Sequence, residues 1–270
     1  MPPELFDLRG RVVVVTGGMG QLGSQFSRAI AESGGRVAIV DVDVSPQRRP
    51  QLPSAIRDRV IYFAADIRKR PQLERVLAGI EKEWESPFGL INNAAIDSPP
   101  NAPANENGPF EQYPKESWDR ILDVNLSGAF VCCQVFGGHM AEAGRGTIVN
   151  ISSIYGIVSP DQRLYHYRRK NDVPFIKPAA YSASKSGLLN LTRYLATYWA
   201  PRGVRVNTLT LAGVFRSQDA EFLREYCARM PMGRMADPDE YNGAIVFLCS
   251  DASRYMTGSN LVIDGGWTAW

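Results

Sequence analysis

The sequence predicts an α/β fold: one domain built on a doubly wound parallel sheet of about seven strands flanked by helices. Three observations carry this. Apolar, β-branched runs alternate with helical segments along the whole chain. The runs are apolar throughout, as strands covered on both faces are. No linker, repeat or low-complexity block divides the 270 residues, a length that suits a single domain over 1–270.

Arg11–Thr16 is the first strand run, ended by glycines. Leu22–Ser33 reads as a helix closed by Gly34-Gly35. Val37–Val40 and Val60–Ala64 are the next strands, ending near Asp41 and Asp66. Gln72–Trp84 is helical, and Leu90-Ile91 leads into Asn92-Asn93. Trp118–Met140 reads as one long helix, Gly146–Ile151 as a strand, Tyr181–Trp199 as a helix and Val204–Thr210 as a strand. Asp237-Pro238-Asp239-Glu240 opens a further helix, with capping-box spacing and proline at its first position. Leu261–Asp264 is a last short strand. Two loops break the rhythm: 97–115, rich in Pro, Asn and Gly, and 154–180, long and basic. Both follow strands. Ligands of an open α/β sheet bind at the carboxyl ends of its strands, so both loops are expected over the substrate.

Composition bounds the function. Hydrophobic residues at 44% fill a sizeable core, and a net charge of +2 gives no reason to expect nucleic acid or an anionic membrane as partner. The segment Met1–Arg11 carries acids and two prolines and does not read as a signal peptide, and no stretch reads as long and apolar enough to span a bilayer. The four cysteines, Cys132, Cys133, Cys227 and Cys249, have neither disulfide-framework nor zinc spacing. They read as buried thiols in a cytoplasmic protein. No His/Cys/Asp/Glu cluster has metal-ligand spacing, so no metal is expected.

Thr16-Gly17-Gly18-Met19-Gly20-Gln21-Leu22-Gly23 joins the first strand to the first helix. Glycines there permit a tight turn and let the backbone approach a pyrophosphate at the helix N-terminus. Asp41 ends the second strand, where a carboxylate accepts from the adenosine ribose hydroxyls. Val42 and Gly18 offer no base for a 2′-phosphate, so NAD is the expected cofactor rather than NADP. Tyr181-Ser182-Ala183-Ser184-Lys185 opens a helix, and its i,i+4 spacing puts Tyr181 and Lys185 on one face. A free tyrosine has a pKa of about 10, too high for a base at neutral pH, and a neighbouring ammonium is expected to lower it. Ser153, at the end of the fifth strand, is placed to donate to a substrate oxygen.

With these residues the chain resembles the classical short-chain dehydrogenase/reductase family over almost its whole length, on a Rossmann fold. The carriers are Thr16–Gly23, Asp66, Asn92-Asn93-Ala94-Ala95, Asn125, Ser152-Ser153, Tyr181–Lys185, Arg205-Val206-Asn207 and Asp264-Gly265-Gly266. The resemblance implies that Asp66 and Ile67 hold adenine and that Asn92, Asn93 and Ala94 line the cofactor. It makes Tyr181 the general acid/base, Ser153 the group that polarises the substrate oxygen, Lys185 a ligand of the nicotinamide ribose, and Asn125 the holder of a relay water. The family departs at Gln21, where a glycine is usual, and at Leu211-Ala212, where Pro-Gly is usual, leaving Val214 to offer its backbone to the carboxamide. The interval from Ser153 to Tyr181 is about twice the usual length, consistent with a lid over a larger substrate. The family also implies a homotetramer or homodimer, paired through the two long helices. The apolar tail Trp267–Trp270 is expected to dock on a neighbouring subunit.

Ser159–Tyr165, Arg193–Trp199 and Leu261–Trp270 resemble oxidoreductases of legionaminic and other nonulosonic acids, including flagellin modification. The implied substrate is an anionic sugar, possible contacts being Ser153, Tyr181, Arg163 and Arg216. Arg168-Arg169-Lys170 reads equally as a solvated turn. His139 reads as structural; His166 reads as a substrate contact or an exposed residue. Two other readings stand beside the oxidoreductase. The Gly17-Gly20-Gly23 spacing suits an NAD-retaining epimerase or dehydratase of a nucleotide sugar. A non-catalytic NAD-binding regulator would keep the fold and be expected to lose Asn125, Ser153, Tyr181 and Lys185, all of which are present.

Overall fold

In the computed structural model β1 (Val12–Thr16) is buried along its whole length. Val12 and Val14 enter one core and Val13 and Val15 the other, which is why the run shows no polar alternation. β2 (Arg36–Asp41), β3 (Val60–Ala64), β4 (Gly89–Asn92), β5 (Gly146–Ser153), β6 (Val204–Leu211) and β7 (Asn260–Ile263) complete the sheet. The order is β3-β2-β1-β4-β5-β6-β7, and every neighbouring pair is parallel. The winding reverses between β1 and β4, which opens a crevice at their carboxyl ends. The structure describes residues 3–97, 106–168 and 175–270. Arg169 and Lys170 of the basic turn lie outside them.

α1 (Gln21–Glu32) and α6 (Asn242–Cys249) cover one face through Phe26, Ile30, Ile245 and Leu248. α2 (Arg70–Glu83), α3 (Lys115–Glu142) and α4 (Ala179–Trp199) cover the other through Leu73, Phe136 and Trp199. A third cluster, with Tyr155, Leu164, Tyr165 and Tyr226, lies beyond the strand ends. It joins the loop after β5 to α5 (Ala220–Arg229), whose N-cap Asp219 accepts from the Glu221 N–H at 2.9 Å.

Several expectations are corrected. α3 is long and apolar enough to cross a membrane by length and composition, although no such stretch was expected. Half of its apolar window is buried, because Cys132, Cys133, Phe136 and Met140 pack under the sheet, so its hydrophobicity serves the core. Two π-helical stretches, Asp123–Gly128 and Cys133–Gly137, interrupt what was expected to be regular helix. The helix expected to open at Asp237 begins at Asn242. The Asp237 N–H does donate to the Glu240 carboxylate at 2.8 Å, but Arg234 grips both oxygens of that carboxylate at 2.6 Å and the segment stays a turn. Trp267 stacks on Tyr226 of its own chain at 4.6 Å between ring centroids, while Trp270 is 81% exposed. Trp267 is therefore half-buried within its own subunit.

Phe136 is fully buried between α3 and the sheet. Phe136→Ala is expected to cost about 3–5 kcal/mol of stability, read in urea as a lower midpoint at unchanged slope.

Candidate active site

Two hollows meet at the carboxyl edge of the sheet. The first is a groove of about 470 Å³ running from the glycine turn to Asp41. Gly17 has φ +63°, and a Cβ there would stand 2.7 Å from the Ala94 Cα. A Cβ on Gly23 would come within 2.2 Å of the Gly17 carbonyl oxygen. Only glycine allows both approaches. The turn bares the start of α1, whose N-cap Gly20 provides no side chain to satisfy the first N–H groups. Those N–H groups, with the helix dipole behind them, suit a pyrophosphate. The Gln21 amide donates to the Phe215 carbonyl at 2.8 Å and so ties this turn to the loop after β6. Asn93 donates to the carbonyls of Thr16 and Gly17 at 3.0 and 3.1 Å, and the Thr16 hydroxyl accepts from the Asn93 and Ala94 N–H groups. The β4 loop is thereby pinned to the end of β1.

At the far end Asp41 faces the groove and accepts from the Met19 N–H at 3.2 Å. Arg48 lines the same wall and pairs with Asp43 at 3.3 Å. Sequence reasoning missed Arg48, because it lies well beyond β2 and only the fold returns it to Asp41. Asp66 and Ile67 also line this groove. The Asp66 carboxylate is already gripped by Arg68 at 2.6 Å, which holds it below the usual carboxylate range. Ile67 is buried against Gly128.

The second hollow, of about 350 Å³, holds Ser153, Tyr181 and Lys185 in its wall. It shares Leu22, Asn93, Ala95 and Val214 with the groove, so the two run into one another. Tyr181 shares this wall with Ser153, whose hydroxyl accepts from the Tyr155 N–H at 3.2 Å. The Lys185 ammonium lies 5.7 Å from the Tyr181 ring centroid and donates to the Ile151 carbonyl at 2.8 Å. Burial lowers the Lys185 pKa to about 8. The expected lowering of Tyr181 is reversed: burial, and then the Asp97 carboxylate, push it up. Removing a phenolate from water outweighs the lysine beside it.

Asn125 is buried and does not line the hollow. Its amide accepts from the Ile96 N–H at 2.8 Å and donates to the Ile96 carbonyl and the Ser184 hydroxyl at 2.9 and 3.1 Å. The Asn125 side chain is thus spent on fixing the β4 loop. Arg163 is exposed, bound to Asp161 at 2.8 Å, and outside the wall. Arg216 is likewise exposed and outside it. Asp161 also binds Arg229 at 2.9 Å, so Arg163 belongs to a surface network that ties the lid to α5. His166 is exposed, and His139 pairs with Glu81 at 3.0 Å. In place of the arginines the hollow is walled by Asp97, Tyr155, Lys177, Gln218, Phe222 and Tyr226; the sequence placed Asp97 and Lys177 in the two loops expected over the ligand, but gave none of the six a contact. Asp219 as a cap before Phe222 and Tyr226 was the available signal for α5.

The family model described as enoyl-(acyl carrier protein) reductase matches residues 18–268. The D-threitol dehydrogenase of Mycolicibacterium smegmatis is 34% identical over 97% of this chain and 95% of its own. A short-chain dehydrogenase from Leptospira borgpetersenii, solved with bound NAD+, is 33% identical with a TM-score of 0.83, covering 97% of this chain and 94% of that one. A gluconate 5-dehydrogenase from Burkholderia cenocepacia, in complex with NADP and tartrate, is 27% identical with a TM-score of 0.84 over 100% of both chains. The chain belongs to the short-chain dehydrogenase/reductase family, whose members act as dehydrogenases on CH–OH groups.

Proposed function

We propose that the protein is an NAD-dependent dehydrogenase that interconverts a secondary alcohol and a ketone on a polyhydroxylated, sugar-like substrate. The observation that carries this is the convergence of Ser153, Tyr181 and Lys185 in one wall, where the hollow joins a groove shaped for a dinucleotide. NAD held between the glycine turn and Asp41 would supply the acceptor for the carbinol hydride and both its electrons. Ser153 holds the substrate oxygen, and Tyr181, as phenolate, takes the hydroxyl proton. The carbinol becomes a ketone, and one proton remains on Tyr181 for release. Lys185 stands next to the phenol to favour its charged form once substrate and cofactor have displaced water. Asp41 is placed to accept from ribose hydroxyls, and Asp43 neutralises Arg48, which supports NAD over NADP.

The relatives support a sugar-like substrate: one acts on a polyol, and the structure of another holds a sugar-acid enzyme with tartrate. A sugar acid, including a nonulosonate, is a second reading, favoured by the similarity to a gluconate 5-dehydrogenase solved with tartrate. The exposed aromatics Phe130 of α3 and Tyr194 and Tyr198 of α4 support assembly through those helices. The four thiols, three of them buried, suit work in a reducing compartment such as the cytoplasm.

Tyr181→Phe is expected to lower kcat for NAD-linked polyol oxidation by roughly a thousandfold while NADH binding stays within about threefold. Retained activity in that variant sinks the mechanism. In fluorescence titrations NADH is expected to bind tighter than NADPH, and Asp41→Ala to remove the preference. Because burial raises the Tyr181 pKa and oxidation needs its deprotonated form, oxidation is expected to speed up as pH rises through the alkaline range. Ketone reduction, which needs the protonated form, is expected to slow over the same range.

A further inference from the structure

We propose that Asp97 and Lys177 form a paired-charge clamp in the substrate hollow that selects an uncharged polyol over the corresponding sugar acid. This rests on the dehydrogenase reading above. Both residues line the hollow, and the Lys177 ammonium pairs with the Asp97 carboxylate. That ammonium also lies 5.4 Å from the Tyr181 ring centroid, so the pair borders the group assigned to the proton transfer.

Two side-chain amides deliver the pair. Asn125 makes a two-point clamp on Ile96, the residue before Asp97, at 2.8 and 2.9 Å. Gln162 makes a matching clamp on Lys177 itself: its carbonyl accepts from the Lys177 N–H at 2.8 Å and its amide donates to the Lys177 carbonyl at 3.1 Å. The Lys177 side chain is only 11% exposed, so its head group is held against the carboxylate rather than waving in solvent.

The charge balance decides what fits. Among the described residues, Asp97, Lys177 and Lys185 are the charged side chains of the wall, and Lys185 is held by the Ile151 carbonyl. The remaining polar groups, including Tyr155, Tyr165 and Gln218, are uncharged. Burial keeps both of these phenols neutral. A substrate hydroxyl both donates and accepts, so it can meet the carboxylate and the ammonium together without parting them. A substrate carboxylate only accepts. It reaches Lys177 only by facing Asp97, a like-charge contact that the half-buried hollow does little to screen. The groups around the Tyr181 phenol are Ser153, Tyr155, Lys185, Lys177 and Asp97, and the last of these disfavours phenolate.

The test compares acyclic polyols with aldonates of the same carbon count as NAD-linked substrates of the full chain. Wild-type protein is expected to favour the polyol by about a hundredfold in kcat/KM. Asp97→Asn is expected to cut that ratio at least about tenfold, chiefly by lowering the aldonate KM, since Lys177 is then released to bind the carboxylate. The same variant is expected to move the rise of oxidation with pH to lower pH, and Lys177→Met to move it to higher pH, shifts that a merely structural pair would not produce. A wild-type preference for aldonates, or an unchanged ratio in Asp97→Asn, overturns the clamp and leaves the dehydrogenase reading standing. Bound NADH with no oxidation of either substrate class overturns the dehydrogenase reading, and the clamp with it.

Discussion

A strand covered on both faces can present chemistry only at its ends. β1 and β4 are buried at every position. Each backbone group inside the sheet is spent on its neighbours, so the polar work is displaced to the carboxyl edge. There the winding reverses between β1 and β4 and the two loops diverge, leaving the groove and the hollow that share Val214 and Asn93. The same constraint explains why the loop after β5 and α5 form a separate cluster: they close over the edge rather than over a face.

Inside this frame the active groups are held by side-chain amides and hydroxyls more than by ion pairs. Asn92 donates to Asn150 at 2.8 Å, Asn150 to Thr192 at 2.8 Å, and Thr208 to Thr192 at 2.7 Å, a buried chain that locks α4 to β4, β5 and β6. The Ser152 hydroxyl donates to the Lys185 carbonyl at 2.9 Å and fixes the same helix nearer its start. Tyr181 and Lys185 therefore take their positions from polar contacts made deep in the core. Such contacts are directional and leave a costly unpaired group if the helix slips, so they set register where apolar packing alone would tolerate a shift.

Electrostatics in the hollow is a contest between burial and neighbouring charge. Burial opposes charge on both Tyr181 and Lys185, raising one pKa and lowering the other. Burial thus favours the uncharged form of both groups, and what enters the pocket changes that balance. Asp97 and Lys177 add an opposing pair beside it, so the polarity of the substrate and the basicity of the phenol are governed from the same place.

The sequence by itself determined the sheet, the glycine turn and the residues proposed for the reaction centre. Strand and helix periods are local, glycine needs are local, and the Tyr181–Lys185 spacing is one helical turn. It placed Val12–Val15 on both cores and Asp41 at the end of β2 because a buried parallel strand is recognisable without its partners. Tertiary structure decided what no local pattern encodes. Arg163 looked like a substrate ligand because it sits among apolar residues, yet Asp161 and Arg229, brought together from distant segments, draw it to the surface. Arg48 reached the ribose end, and Asp97 met Lys177, only because separate loops converge at one edge. Asn125 was legible as a site residue, but its hold on the Ile96 backbone was not, since that backbone is a neighbour in space alone. Charge pairing depends on distance through the fold, and distance through the fold is what a linear sequence does not carry.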